Sequence, residues 1–450
     1  MERRVCIIGG GISGLTTAYL LKKKGLDITL FESSSRVGGN IRSERKDGFL
    51  LEHGPNSLLR SPRLIDMIDG LELRREVLPA APTAKKRFVL IDGNLRVPPT
   101  GPLSFLTGNF FSKRAKIRLL KEPFIRTRSQ ENESVAEFFE RRLGREVVEK
   151  AVDPFISGIF AGDPERLSIS QAFPVLAGYE REHGSLLLGA LRSKREKADP
   201  AFPRSFTFQN GLNTLTDRLH ERLGKSVRTS CAVKRVEKRE GKFNVTTQNG
   251  DSADFDSVIL STTADAAAEL VMDIDTGFAD TLRDIYYAPV TVVRTGYPQS
   301  AVGHKADGFG FLVPRSADRS ILGSLWTSSV FHYRAPTGMH LFTTFVGGAR
   351  SPQLCYRPDN EITALVHSEL AAIMDISTSP VFTDLTRWEK AIPQYNIGYK
   401  DTIDRLERFS GVNPGIFFCS NFYRGISVGD CVKNAHRTAD EVETFLKTNQ

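Results

Sequence analysis

"VCIIGGGISGLTTAYLL", residues 5–21, sets crowded glycines between two apolar runs, and its reading decides the fold. Residues 5–8 are short, apolar and partly β-branched, which suits a buried parallel strand. Gly9, Gly11 and Gly14 follow in the spacing G-x-G-x-x-G, and Leu15, Ala18, Tyr19 and Leu20 then recur at helical spacing until Gly25 offers a stop. The next run, residues 26–31, alternates as a second strand and delivers Glu32, close to where an acid that binds a ribose hydroxyl is expected. Each glycine then has a reason: a tight turn at Gly9, close backbone approach to a pyrophosphate at Gly11, and helix-to-strand contact at Gly14. A helix N-terminus at Ser13 offers unsatisfied N–H groups and partial positive charge to that pyrophosphate. A lone glycine motif would also suit a turn that binds nothing, but strand, helix and terminal acid in register point to a dinucleotide cradled by Gly9, Gly10, Gly11, Ile12, Ser13 and Gly14.

Shortly after the acid come Ser33 and then Arg36-Val-Gly-Gly-Asn40, an apolar strand over residues 49–52, and the turn Gly54-Pro55-Asn56-Ser57. These motifs resemble those of the flavin amine oxidase superfamily, whose members follow the acid with R-x-G-G and contact the cofactor again just downstream. The resemblance implies FAD, with Ser33, Asn40, Gly54, Pro55, Asn56 and Ser57 beside it. Without it, the second motif would read as a surface turn.

The chain has 450 residues, 40% hydrophobic and 25% charged, ordinary values for a globular protein of two or three domains. No apolar stretch reaches membrane-spanning length, and Met1-Glu2 leads directly into the first strand, so a cytoplasmic protein is expected. Five widely spaced cysteines without a CxxC pair, and eight histidines without zinc-like spacing, point to reduced thiols and no metal. No Ser/His pairing supports a hydrolase. The net charge of +8 is concentrated: residues 101–130 hold seven bases against the single acid Glu122, leaving +6, with Leu103, Phe105, Leu106, Phe110, Phe111 and Ile117 interleaved. That pattern suits an element lying on an anionic bilayer, and equally a solvated helix face beside a core stripe. Nucleic acid would demand a broader basic surface.

The cofactor motifs recur along the chain. Residues 209–219 read as a turn entering a helix, and residues 226–262 as strands with turns at Gly241 and Asn249-Gly250. In the superfamily a residue opening such a strand pair touches the adenine side of FAD; the match is Val233, which could equally be core. Near residue 416 an apolar strand leads through a turn with Gly425 and Gly429 into an amphipathic helix, and Ile426, Ser427 and Val428 match residues that place the helix's positive end at the flavin pyrimidine. The expected class is α/β: a discontinuous Rossmann-like FAD domain (1–75, 208–265, 401–450), a β-rich substrate domain (76–92, 266–400), and a helical membrane-facing insert (93–207).

Further stretches, "RFVLIDGNLRVPPTG" at 87, "SGIFAGDPERLSI" at 157, "GFGFLVP" at 308, "FTTFVGG" at 342 and "IPQYNIGY" at 392, resemble the protoporphyrinogen oxidase family along the whole chain. That family implies oxidation of a porphyrinogen to a porphyrin by three two-electron transfers to FAD, with O2 reoxidising the flavin to give H2O2, and hand-over of product to a ferrochelatase. By the match, Arg87 would pair with a propionate, Leu312, Leu325 and Phe345 would sandwich pyrrole rings, and Gly158 would let the macrocycle approach the backbone. No protein nucleophile or general base is assigned. "FTTFVGG" resembles the protoporphyrinogen-acting branch, with coproporphyrinogen III as the alternative substrate. An amine oxidase or carotenoid desaturase, and a nonenzymatic binding module on the same fold, are the competing readings.

Overall fold

The computed structural model describes residues 3–193 and 199–448; Met1 and Glu2, which carry the leader reading, lie outside them. Arg4–Ile8 is the central strand of an all-parallel five-stranded sheet, ordered Val227–Arg228, Asp27–Phe31, Arg4–Ile8, Ser257–Leu260 and Ile416–Phe418. Val5 pairs with Ile28 on one side and Ser257 on the other. Helix Ile12–Lys23 starts one residue ahead of the expected position, because Gly11 already has the extended backbone of an N-cap. It packs on the long helix Val428–Thr448 through a core that includes Leu15, Ala18, Val432 and Ala435.

A seven-stranded sheet forms the second layer, ordered Phe382–Pro393, Tyr287–Pro298, Met339–Gly347, Ile321–Trp326, Gly310–Leu312, Phe88–Ile91 and Asn94–Arg96. Its neighbours are antiparallel except Gly310–Leu312 with Phe88–Ile91. Tyr287–Pro298 is buried along nearly its whole length because both faces are covered. Strand alternation sends Val293 and Tyr297 toward helix Asp359–Met374, and Val290 and Val292 to the other face, beside Leu322 and Phe345.

Between Pro102–Thr107 and Leu186–Arg192 the chain is helical. Ser134 and Glu137 form a reciprocal capping box at the start of Val135–Leu143, with Ser134 Oγ accepting from Glu137 N at 3.1 Å and Glu137 Oε2 accepting from Ser134 N at 2.9 Å. Glu122, the only acid of the basic segment, is wholly buried and paired with buried Arg142 at 2.5 Å. It therefore does not offset the exposed bases around it. Leu103 and Phe124 in the same segment are 74% and 82% exposed. Ser205–Phe208 then returns to pair with Leu58–Leu59 and Val77–Pro79.

Candidate functional site

One cavity of about 1950 Å³ lies outside the carboxyl ends of the parallel strands and runs under the seven-stranded sheet, the place where an open parallel sheet holds its ligand. Gly9 has φ +106°, and a Cβ there would fall 2.6 Å from Ser261 O. A Cβ on Gly14 would meet Gly9 O at 2.0 Å, so only glycine lets the helix pack against the turn. Gly11 differs: a Cβ there meets nothing within 4 Å, and the residue lines the cavity. The room it leaves belongs to whatever binds. Helix Ile12–Lys23 has no side-chain cap, so its first N–H groups remain available to an anion.

Glu32 Oε2 accepts the Gly10 N–H at 2.7 Å and Oε1 the Ser34 N–H at 2.8 Å, which fixes the carboxylate at the cavity edge. Gly38 N–H donates to Gly10 O at 2.8 Å, binding the second glycine turn to the first, and the Arg36 guanidinium donates to Gly39 O at 2.8 Å within the second turn. Gly54 is glycine because a Cβ would lie 2.0 Å from Asn40 O. Asn56 Nδ2 donates to Gly54 O at 3.3 Å and its main-chain oxygen accepts from buried Arg334 at 3.0 Å, while Oδ1 is buried without a partner on the cavity wall. Arg334 is itself paired with buried Glu52 at 2.9 Å.

Of the residues singled out in the sequence, all but Gly10, Gly14 and Arg87 line this cavity: Ser33, Pro55, Ser57, Val233 and Ile426–Val428 on one side, Gly158, Leu312, Leu325 and Phe345 on the other. Two placements differ from expectation. A Cβ on Gly158 would lie 2.6 Å from Leu312 Cδ2, so the space the glycine opens is taken by that leucine. Arg87 stands off the wall, its guanidinium 4.7 Å from the ring centroid of Phe309, which is on the wall.

Sequence reasoning missed Ser261 and Thr262, although a polar pair directly after the apolar run 257–260 marks the carboxyl end of a parallel strand. It also missed Val290, Leu322, Trp388 and Ile392, which read as core. His53 precedes the 54–57 turn, its Nδ1 2.7 Å from Thr386 Oγ1 and its Nε2 3.1 Å from Glu44 Oε2. Burial, with Arg294 and Arg42 adding repulsion, lowers its pKa to about 4. The neutral ring then donates from Nε2 to Glu44 and accepts from Thr386 at Nδ1. Its main-chain oxygen accepts the Trp388 indole N–H at 2.7 Å.

Among the described residues, the seven-stranded sheet and helix Asp153–Phe160 contribute no ionisable side chain to the cavity wall. Around the cavity, Ser61 Oγ, Ser157 Oγ and Ser261 Oγ are buried without partners, like Asn56 Oδ1. An uncapped helix N-terminus, an open space at Gly11 and orphaned polar atoms fit a dinucleotide cofactor.

Residues 12–443 match the family described as flavin-containing amine oxidoreductase. The chain is 30% identical to protoporphyrinogen oxidase 2, chloroplastic/mitochondrial, of Arabidopsis thaliana, over 99% of this chain and 95% of that one. It is 29% identical to coproporphyrinogen III oxidase of Bacillus subtilis, over 99% of each chain. A solved candidate protoporphyrinogen oxidase from Exiguobacterium sp. 255-15 superposes with a TM-score of 0.82 at 25% identity, over 99% of both chains.

Proposed function

The chain belongs to the flavin-containing amine oxidoreductase family, and from that premise we propose that it is an FAD-dependent oxidase that converts protoporphyrinogen IX to protoporphyrin IX with O2 as acceptor. One observation carries this reading: the cavity of about 1950 Å³ joins a dinucleotide cradle to an uncharged apolar chamber. Sites for one drug-sized ligand occupy roughly 300–1,000 Å³. There is room here for a dinucleotide and a large macrocycle side by side.

Bound FAD supplies a two-electron acceptor that oxygen regenerates. The protein's part is placement. Leu312, Leu325 and Phe345 offer apolar faces to pyrrole rings, and a macrocycle seated against them would displace water from that wall. The sheet and helix Asp153–Phe160 offer no general base to the cavity, so we assign the protons released with each oxidation to water or to the macrocycle's own nitrogens. The substrate sets three two-electron steps, and the acceptor sets the coproduct, since each O2 would take two electrons and two protons to give H2O2.

The uncharged chamber favours protoporphyrinogen IX, whose two vinyl groups replace two propionates of coproporphyrinogen III; four carboxylates would demand more bases than this wall carries. Initial rates on the two porphyrinogens, followed by porphyrin fluorescence, test the choice. Faster turnover of coproporphyrinogen III reverses it. Amine turnover without porphyrinogen turnover removes the porphyrinogen reading itself.

The reading extends to the helical insert. No helix among the described residues is long and apolar enough to cross a membrane. Exposed Lys113, Arg114 and Lys121, in the segment that also exposes Leu103 and Phe124, with Glu122 withdrawn into a buried pair, support peripheral docking on an anionic membrane face. Product would pass to a ferrochelatase from that surface.

A further inference from the structure

The segment 420–425 precedes helix Val428–Thr448 and has no strand partner. Its four consecutive carbonyls, of residues 421–424, are held instead by side chains from two other places. Tyr395 Oη donates to Asn421 O at 2.6 Å and Tyr399 Oη donates to Phe422 O at 2.5 Å. Asn434 Nδ2, from the first turns of the helix, donates to Tyr423 O and Arg424 O, both at 3.1 Å. Tyr395 does double work, since its oxygen also accepts the Gly425 N–H at 2.9 Å. One hydroxyl thus bridges both ends of the loop. Burial pushes both tyrosine pKa values upward and keeps each hydroxyl protonated, as donation requires.

The backbone between those ends is unfavourable on its own. Arg424 has φ +71°, left-handed space that a side chain other than glycine seldom takes, and Gly425 has φ +121°. A Cβ on Gly425 would lie 2.7 Å from Asp430 Cβ, inside the first turn of the helix. Such a conformation persists where the surroundings over-determine it. Immediately beyond it, Ile426, Ser427 and Val428 line the cavity, and Ser427 Oγ caps the helix by accepting from Asp430 N at 3.1 Å. The direction of the helix N-terminus at the cavity is therefore set through this loop.

The two tyrosines belong to the chain that has just left the substrate wall: strand Phe382–Pro393 carries Trp388, Ala391 and Ile392 on the cavity and ends two residues before Tyr395. We propose that Tyr395 is a positioning residue, whose hydroxyl ties the substrate wall to the 421–425 loop and so aims the positive end of helix Val428–Thr448 at the flavin ring. The proposal rests on FAD occupying the cavity. Tyr399 is its internal control. It also supplies one buried hydroxyl to this loop, but its partner Phe422 does not line the cavity and it makes no bond to Gly425.

The test compares purified wild type, Tyr395→Phe and Tyr399→Phe, each a ring-preserving change. Flavin content, the visible flavin spectrum, the flavin midpoint potential and thermal melting are all read on the holoenzymes. Both variants should melt below wild type. Tyr395→Phe alone should shift the flavin band and move the potential more negative, because a helix end that is no longer aimed stabilises the reduced, anionic ring less. Its kcat should fall about tenfold with KM nearly unchanged. A wild-type potential and spectrum in Tyr395→Phe overturn the proposal, as do equal shifts in both variants, which would reduce the tyrosine to ordinary packing. A wild type that carries no flavin would instead overturn the function on which the proposal rests.

Discussion

Arg87 lies with its guanidinium 4.7 Å from the ring centroid of Phe309, and it is the phenylalanine, not the arginine, that faces the cavity. Arg87 is exposed as a residue, but the protein around its guanidinium partly desolvates it and, with Arg204 adding repulsion, lowers its pKa from the usual value. A carboxylate arriving at the rim would relieve both effects and find a planar fork for two parallel bonds.

Arg87→Ala should therefore raise KM for the porphyrinogen about tenfold, the loss of roughly 1.5 kcal/mol for a charged hydrogen bond. The kcat should fall less, since a propionate remote from the reacting carbon is held alike in ground and transition states. Lys should restore part of the loss. Steady-state kinetics on flavin-replete protein decide it, and a wild-type KM in Arg87→Ala would take the residue out of substrate binding.

Gly11 and Gly14 should separate binding from folding. A side chain on Gly11 enters open cavity, so Gly11→Val should purify folded, with wild-type circular dichroism, and colourless. Gly14→Val sets a branched side chain against Gly9 O, where even a Cβ would lie at 2.0 Å, and should fail to accumulate as folded protein. A yellow Gly11→Val protein at full occupancy would show that the pyrophosphate does not pass there.

His53 makes stability pH-dependent. Its pKa is about 4 in the fold against an ordinary 6.5, so the unfolded chain binds more protons between those values and stability falls as pH drops from 6.5 toward 4. The loss attributable to this ring is on the order of 3 kcal/mol. Urea unfolding at pH 7.5 and pH 5 should show wild type losing more stability on acidification than His53→Gln. Parallel losses would mean that His53 titrates normally.

The basic segment offers a test of docking. Lys116 donates to Leu106 O and Gly108 O, so it holds the segment's own backbone together and is best left in place. Lys113, Arg114 and Lys121 are exposed. Changing these three to Gln should weaken cosedimentation with phosphatidylserine-containing vesicles by about 1 kcal/mol per charge at low salt. Equal sedimentation of the two proteins would leave a solvated helix face.

What the sequence disclosed was local. The roles of Gly9, Gly11 and Gly14 follow from backbone demands within a few residues, and they reappear as a positive φ, an open space and a 2.0 Å approach. Glu32 was legible as a cavity residue, but its bonds to Gly10 and Ser34 were not, because nothing in spacing says which way a carboxylate turns. Arg334 and Glu52 meet across 282 positions, and the Tyr395 hydroxyl meets Asn421 and Gly425 from another layer. Such pairs exist only after the sheets are assembled. Val290 and Trp388 lay hidden for a different reason: an apolar wall around a cavity has the same composition as an apolar core.

The central strand Arg4–Ile8 has a consequence for how the protein is made. One of its neighbours, Asp27–Phe31, follows at once, but the other, Ser257–Leu260, is synthesised about 250 residues later, and at about 5–20 residues per second that interval is tens of seconds. Through that time a buried, apolar strand has an unpaired edge, which invites association with other chains. Helix Val428–Thr448, which closes the cofactor cradle, is made later still. A nascent chain therefore has the fingerprint of a cofactor site long before it has the site, and one edge of its central strand waits for a partner until the middle of the chain has been made.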